Sequence, residues 1–164
     1  MSLDTSCGLW FQLLGGVKAT IDGKELDTSD QLMYQGTMIS DVPNFGLIIG
    51  YTNASWTLKV DIIADYLCRL MNYMDKNGYA VAIPQGDDSA KSEDTMMGSL
   101  ASGYVQRAAH LIPRQGLKDP WALRASYYED KDALKKANFK DGILKFVKSN
   151  QKGAKPKKKL KIFG

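Results

Sequence analysis

Three hydrogen-bonding side chains, Thr52, Asn53 and Ser55, lie between an apolar run and the strongest helical pattern in the sequence. Each can cap the following helix or donate a hydrogen bond to a ligand. Helices commonly carry Asp or Glu in the first turn, where a carboxylate offsets the helix dipole, but the first acidic residue here is Asp61. The positive end of this helix is therefore free for an anion or a polarised carbonyl group. The alternative is that Asn53 or Ser55 simply caps a core helix.

The other reactive side chains favour structural roles. A histidine-based triad would have to use His110, the one histidine, which lies near the end of a short predicted helix and suits packing or the surface. The acidic pairs at 87–88 and 93–94 lack the spacing of an EF-hand and favour a solvated loop. Cys68 has apolar helical neighbours, which predicts a buried thiol. Neither a GxGxxG nor a GxxxxGK[ST] motif occurs, and we predict no catalytic residue and no metal site.

The elements that would position the loop are a strand and a helix. Residues 45–50 form a continuous apolar run, which is typical of a central parallel strand buried on both faces. Apolar residues at helical spacing predict a helix over 56–77, and Gly78 ends it as a C-cap. In open α/β sheets, ligands bind at the carboxyl ends of strands, where helix N-termini point. The loop at 51–55 therefore occupies a position where ligands bind in such sheets.

Weaker signals predict the remaining elements, from turn dipeptides, periodicity and capping residues. They are a hairpin over 17–26 with an Asp22-Gly23 turn, a weak strand over 34–39, an edge strand over 81–84, a polar loop over 85–102, helices over 104–111 and from Asp119-Pro120 onward, and a strand or helical turn over 143–147.

Composition bounds the class of protein. The chain has 164 residues, 44% of them apolar and 24% charged, as in a single soluble globular domain. No apolar run approaches the roughly 18 residues of a membrane span, and no secretion signal is evident, so we expect a cytoplasmic protein. The net charge of +4 comes from residues 152–164, which hold six lysines and no acid. The other 151 residues carry 16 basic and 18 acidic side chains, so the body is slightly acidic.

The stretch GLWFQLLGG at 8–16 resembles the region after the ATG motif of flavin-containing monooxygenases of the Baeyer–Villiger type. The similar subgroup includes the mycobacterial thioamide-activating monooxygenase. The likeness is tightest at 50–59, GYTNASWTLK, and continues through 68–75, CRLMNYMD. It resumes at 103–105, 113–116 and 120–121, and so covers about residues 5–147. The chain departs from the family at 5–8, where TSCG stands in place of TATG.

The resemblance implies an α/β fold, in which this chain is the C-terminal fragment of a FAD/NAD(P)-binding flavoprotein. We expect a small sheet, one strand-loop-helix unit and a helical C-terminal arm. Residues 1–84 would complete the FAD-binding domain, 85–150 would form an acidic loop and the helical arm, and 151–164 would be a disordered lysine-rich tail. The family's two dinucleotide fingerprints and its FxGxxxHxxxWP signature are absent from the sequence.

The resemblance also implies a function, that of an FAD- and NADPH-dependent monooxygenase that oxygenates ketones or sulfur compounds. In such enzymes the loop and helix N-terminus approach the pyrimidine edge of the flavin, where negative charge develops on reduction. The matching residues are Gly50, Tyr51, Thr52, Asn53, Ala54 and Ser55, and Trp56 would border the substrate side more weakly. Because the fingerprints that hold both dinucleotides are missing, we expect the isolated chain to bind FAD weakly and to be inactive.

Two further interpretations of the sequence stay open. The chain could be a standalone binding module whose lysine tail contacts nucleic acid or an anionic surface. It could instead complement a separately encoded N-terminal portion that binds FAD and NADPH. A fragment that lacks its partner strands would also expose apolar surface and self-associate.

Overall fold

The computed structural model describes residues 18–51, 55–95, 109–124, 126–148 and 160–163. These residues form a mixed α/β fold with two α-helices, α1 (Trp56–Asn77) and α2 (Tyr127–Lys136). Two 3₁₀ turns lie at Asp88–Ala90 and Ala109–Leu111. The strands are β1 (Lys18–Ile21), β2 (Lys24–Glu25), β3 (Met33–Tyr34), β4 (Met38–Ile39), β5 (Tyr79–Pro84), β6 (Lys91–Thr95), β7 (Arg114–Gly116), β8 (Leu144–Lys148) and β9 (Leu160–Phe163). Their small sheets are antiparallel: β2-β1-β9, β3-β4, β5-β8 and β6-β7.

Helix α1 has the bounds that the periodicity predicts. It ends at Gly78, which has a φ of +67° and donates its N–H to the carbonyl of Asp75, as a C-capping glycine does. Its buried face carries Ile63, Tyr66 and Leu70. The prediction of a buried Cys68 is wrong, because at 100° per residue this thiol points away from that face and is exposed. No described helix is long and apolar enough to cross a membrane.

The predicted hairpin is confirmed as β1 and β2. Asp22 and Gly23 both have positive φ angles, 52° and 84°, as a two-residue turn of this kind requires. The other edge of β1 pairs with β9, which the sequence did not predict. The expected disorder of the tail is therefore wrong for residues 160–163, while 151–159 lie outside the described residues. The weak strand predicted over 34–39 is instead a second hairpin, β3-β4, that turns at Gln35-Gly36.

The predicted central parallel strand at 45–50 is wrong. This segment makes an isolated antiparallel bridge from Gly46 to Met38, and the Leu47 N–H donates to the Thr37 carbonyl. Ile48 is 44% exposed, whereas a strand buried on both faces would cover it. An apolar run predicts burial but not a hydrogen-bonding partner, and in the described part of the chain no strand flanks this run on both sides.

The expected helical C-terminal arm is only partly present. Residues 85–148 contain α2, but also β6, β7 and β8, so part of the predicted polar loop is a strand. Residues 118–121 form a turn that buries the Trp121 side chain, and the helix predicted from Asp119-Pro120 begins only at Tyr127. These strands pair with partners distant in sequence, which local periodicity does not reveal. The predicted edge strand is β5, and its partner β8 is the segment at 143–147 that was open between strand and helix.

The core consists of two buried clusters. The larger one packs α1 and α2 against the strands through Leu32, Tyr34, Met38, Ile62, Ile63, Tyr66, Leu70, Ala82, Ala90, Trp121, Leu134 and Leu144. The smaller one lies near the segment at 45–50 and contains Met33, Ile39, Val42, Ile49 and Ile112. Tyr51, which precedes residues 52–54, and helix α1, which follows them, therefore both contribute buried side chains to the interior.

Candidate functional site

Tyr51, the last described residue before the loop, is anchored in the interior. Its side chain is 6% exposed, and its hydroxyl donates a 2.7 Å hydrogen bond to Oδ2 of Asp130. Asp130 lies in the first turn of α2 and is 3% exposed. The contact joins residues 79 positions apart, so it ties the start of the loop to a distant helix.

Two cationic side chains, Lys59 and Arg124, lie close to the Asp130 carboxylate. Lys59, in the first turns of α1, places Nζ 3.2 Å from Oδ2 of Asp130 and 4.8 Å from the centre of the Tyr51 ring. Nη1 of Arg124 lies 3.7 Å from Oδ1 of Asp130. Arg124 also reaches Oε1 of Gln35 at 3.2 Å and Oδ1 of Asp119 at 2.7 Å. We refer to Tyr51, Lys59, Arg124 and Asp130 as the ion cluster.

The electrostatics of the ion cluster follow from its burial. An isolated buried charge is very costly, but here each charged group faces an opposite charge. Burial raises the pKa of the Tyr51 hydroxyl well above its usual value, and the nearby Asp130 carboxylate raises it further. Tyr51 therefore stays protonated and remains a hydrogen-bond donor throughout the physiological pH range.

Among the described residues, neither a capping side chain nor a first-turn carboxylate neutralises the N-terminus of α1. The Ser55 side chain makes no capping bond to the helix backbone; its Oγ lies 3.0 Å from Oγ1 of Thr57. The first turn holds no acidic residue, whereas α2 has Glu129 and Asp130 there. This end of α1 thus keeps its positive potential, with the Lys59 cation one turn further along. Such surroundings suit an electron-rich group.

The structure describes only some of the predicted site residues, and these differ in burial. Gly50 and Tyr51 are buried, and Ser55 is exposed at the start of α1. Thr52, Asn53 and Ala54 lie outside the described residues, as does the side chain of Trp56. The ion cluster brings Tyr51 close to the first turns of α1, on the other side of the loop.

Sequence reasoning missed three members of the ion cluster. Lys59 lies four residues before the buried Ile63, and Asp130 lies four residues before the buried Leu134. A charge on the apolar stripe of a helix is a signal that could have found both residues, because such a charge needs a partner. Arg124 carries no comparable signal, since it lies outside the helices.

Among the described residues, neither His110 nor a group of metal-ligating side chains gives a competing site. His110 is exposed on a 3₁₀ turn. In the described part of the chain, no group of three or more His, Cys, Asp or Glu side chains could hold a metal ion.

Comparison with known proteins identifies the class of protein. The chain is 56% identical over 156 residues to a protein of Acinetobacter baylyi named "Probable FAD-binding monooxygenase AlmA", and this match covers 93% of the chain and 31% of the relative. An AlmA of another Acinetobacter species is 52% identical, over 95% of the chain and 31% of that protein. No family model matches the chain, and no solved structure matches it significantly.

A more distant relative agrees. The FAD-containing monooxygenase EthA of Mycobacterium tuberculosis is 40% identical over 144 residues, which is 88% of the chain and 29% of EthA. By sequence, the chain is homologous to a portion of the FAD-containing monooxygenases, the flavoprotein oxidoreductases that include EthA. It spans less than a third of the length of these relatives.

Proposed function

We propose that the chain is the flavin-closing, carboxyl-terminal portion of an FAD- and NADPH-dependent monooxygenase, and that it is inactive without the remaining portion. The observation that supports this most is the identity of 40–56% to FAD-containing monooxygenases across about nine-tenths of the chain. The order of the resembling motifs supports the carboxyl-terminal placement. Residues 1–84 would complete the FAD-binding domain, and 85–150 would pack beside it.

The chemistry of the described residues fits the electron-rich edge of a flavin ring. Bound FAD would supply the redox chemistry. The uncapped N-terminus of α1 would stabilise negative charge on the ring, and Gly50, Tyr51 and Ser55 would border it together with residues 52–54. The ion cluster would hold Tyr51 and α1 in a fixed relation. Trp56 would border the substrate side, where the resemblance implies ketones or sulfur compounds.

Reconstitution tests the proposal. The chain is co-expressed with the part of the A. baylyi relative that it does not cover, and the purified mixture is desalted. We expect the complex to retain flavin absorbance and to oxidise NADPH in the presence of a ketone or sulfide. The lone chain, treated with FAD and NADPH in the same way, should retain no flavin and oxidise no NADPH. Turnover by the lone chain would contradict the proposal, as would a soluble complex that retains no flavin.

A matched pair of variants tests the flavin-facing site. Ser55→Asp introduces an acid at the N-terminus of α1, and Ser126→Asp introduces one at the corresponding position of α2. Each should stabilise its helix by about 0.3–1 kcal/mol through the helix dipole. In the complex, only Ser55→Asp should weaken flavin retention and lower the reduction potential, because its carboxylate opposes charge on the reduced ring. Equal flavin properties in both variants would remove the N-terminus of α1 from the site.

A further inference from the structure

Helix α1 has sides of opposite character on either side of its buried face. At 100° per residue, one side carries Asp61, Asp65 and Arg69 and is an ordinary solvated surface. The other side is apolar and uncharged over about three turns, and it consists of Val60, Ala64, Leu67, Cys68 and Met71. Met71 is 56% exposed, and Cys68 is exposed as well. Because a helix side that faces only water is normally polar, this side indicates a further contact.

The segment at 45–50 lies beside the apolar side of α1. Gly46 approaches Leu67 so closely that a Cβ at position 46 would lie 3.0 Å from Cδ2 of Leu67. Ile48, two residues further along this segment, is 44% exposed. We refer to Ile48 and the five apolar residues of α1 as the apolar face.

The apolar face begins next to the proposed flavin-facing loop. Ile48 precedes Gly50 by two residues, and Val60 follows Ser55 by five. From Val60 to Met71 the face extends about 16 Å along the helix axis. The dinucleotide fingerprints are absent from the sequence, which covers 31% of its A. baylyi relative. A portion that brings a flavin ring to residues 50–55 would therefore meet the apolar face as well.

We propose that the apolar face is the docking surface for the FAD-binding portion of the monooxygenase, an inference that rests on the proposed function. The surface that docks here is apolar, because a charged one would lose its hydration without gaining a partner. The six side chains form the water-excluding centre of an interface, and a standard interface buries roughly 800 Å² on each partner. Burial of apolar area holds the two portions together and keeps the flavin next to the loop.

Alkylation of Cys68 tests the docking directly. Cys7→Ser leaves Cys68 as the one cysteine of the chain. This variant is co-expressed with the part of the A. baylyi relative that it does not cover, treated with iodoacetamide, and the Cys68 peptide is quantified by mass spectrometry. Alkylation should be about tenfold slower than in the lone chain, because docking covers an exposed thiol. Unchanged alkylation in a complex that retains flavin would overturn the docking and leave the proposed function intact.

Two lysine substitutions separate docking on this face from general surface effects. Met71→Lys places a charge in the apolar face, and Leu117→Lys places one immediately after β7, at a side chain that is 71% exposed. Both replace exposed side chains, and circular dichroism confirms that each variant is folded. Met71→Lys should weaken association with the other portion by about tenfold or more, and Leu117→Lys should leave it unchanged. Analytical ultracentrifugation measures both, and equal affinities would overturn the proposal.

The same preparations distinguish the other outcomes. Protection of Cys68 in the lone chain that rises with protein concentration to the level of the complex would assign the apolar face to a second copy of the chain and overturn the proposal. Failure of the two portions to associate would overturn it too. A complex in which Cys68 is protected but no flavin is retained would support the docking surface and contradict the proposed function.

Discussion

The two ends of helix α1 are held by opposite kinds of interaction. At the N-terminal end, Lys59 joins the buried ion cluster through Asp130, at 3.2 Å. At the C-terminal end, Tyr73 packs against the rings of Tyr79, Phe139 and Phe146, with centroids 6.0, 5.2 and 5.4 Å away. One end therefore depends on directional contacts between charges, and the other on the burial of aromatic rings.

The two ends of α1 therefore contribute differently: the aromatic end stabilises the fold, and the ion cluster fixes the positions of side chains. Aromatic packing buries large apolar surfaces and tolerates small shifts, so the C-terminal end stabilises the fold at little cost. Buried charges lose their hydration, and their mutual attraction offsets that loss only in a narrow geometry, so the ion cluster contributes little net stability. What the ion cluster provides is a defined position for Tyr51 relative to α1, next to the proposed flavin-facing loop.

Removal of the central carboxylate should have the largest effect. Asp130→Ala leaves the buried Lys59 without its ion-pair partner, while the partly buried Arg124 keeps only Asp119, and should lower the free energy of unfolding by about 3–5 kcal/mol. The control is Asp132→Ala on the same helix, where an exposed pair with Lys136 is lost and the change should stay near 0.5 kcal/mol. Urea denaturation measures both. A loss below about 1 kcal/mol for Asp130→Ala would show that the charges are not truly buried together.

Truncation of an aromatic side chain at the C-terminal end of α1 should lower the free energy of unfolding somewhat less than Asp130→Ala does. It should leave the ion cluster at the N-terminal end intact. Phe146→Ala removes the stacked contact with Tyr79, at 4.8 Å, and should cost about 2–3 kcal/mol because the ring is only partly buried. Amide hydrogen exchange around Tyr51 should accelerate no more than the lower free energy of unfolding of the whole chain requires. Selective acceleration there would mean that the two ends of α1 are coupled and are not held independently.

The Tyr51 hydroxyl should contribute a smaller amount that depends on pH. Tyr51→Phe removes a hydrogen bond to a carboxylate and should cost about 1.5 kcal/mol near neutral pH. Because burial raises the pKa of Tyr51 in the folded chain, its stabilising contribution is complete below pH of about 10 and is lost as pH rises further. The difference between wild type and variant should therefore narrow above that pH, by up to about 1.4 kcal/mol per unit. Urea titrations across this range measure it, and a constant difference would contradict the assignment.

Tyr66→Phe should change the free energy of unfolding least of the four variants, and should raise it where the other three lower it. The Tyr66 hydroxyl is buried in α1 near the Tyr34 side chain, but no described residue satisfies it with a hydrogen bond of good geometry. Removing an unsatisfied polar group should leave stability unchanged or raise it by up to about 1 kcal/mol. Thermal unfolding of Tyr66→Phe and Tyr51→Phe, measured side by side, compares the loss of a hydroxyl that lacks a well-formed hydrogen bond with the loss of one that is bonded to Asp130. A clear loss of stability would reveal a partner that the static structure does not show.

Local patterns predicted some of these features and missed others. The periodicity and the glycine C-cap predicted α1, the Asp22-Gly23 dipeptide predicted the first hairpin, and the absence of acids in the first turn of α1 was visible directly. The apolar run at 45–50 led to the wrong prediction of a central parallel strand, because apolar residues favour burial and do not specify which strand lies alongside. Strand β6 was missed because its polar sequence lacks an alternating apolar pattern, and β9 was missed because its four residues are too few to define one.

The sequence by itself determined the class of protein and the absence of acidic residues from the first turn of α1, because homology and the order of residues along a helix both reside in contiguous residues. Only the tertiary structure decided that Lys59, Arg124 and Asp130 meet around Tyr51, and that the first hairpin pairs with β9. The physical reason is that a buried charge has no local preference for one partner. Its partner is chosen by whichever element the packing of the core brings within hydrogen-bonding distance.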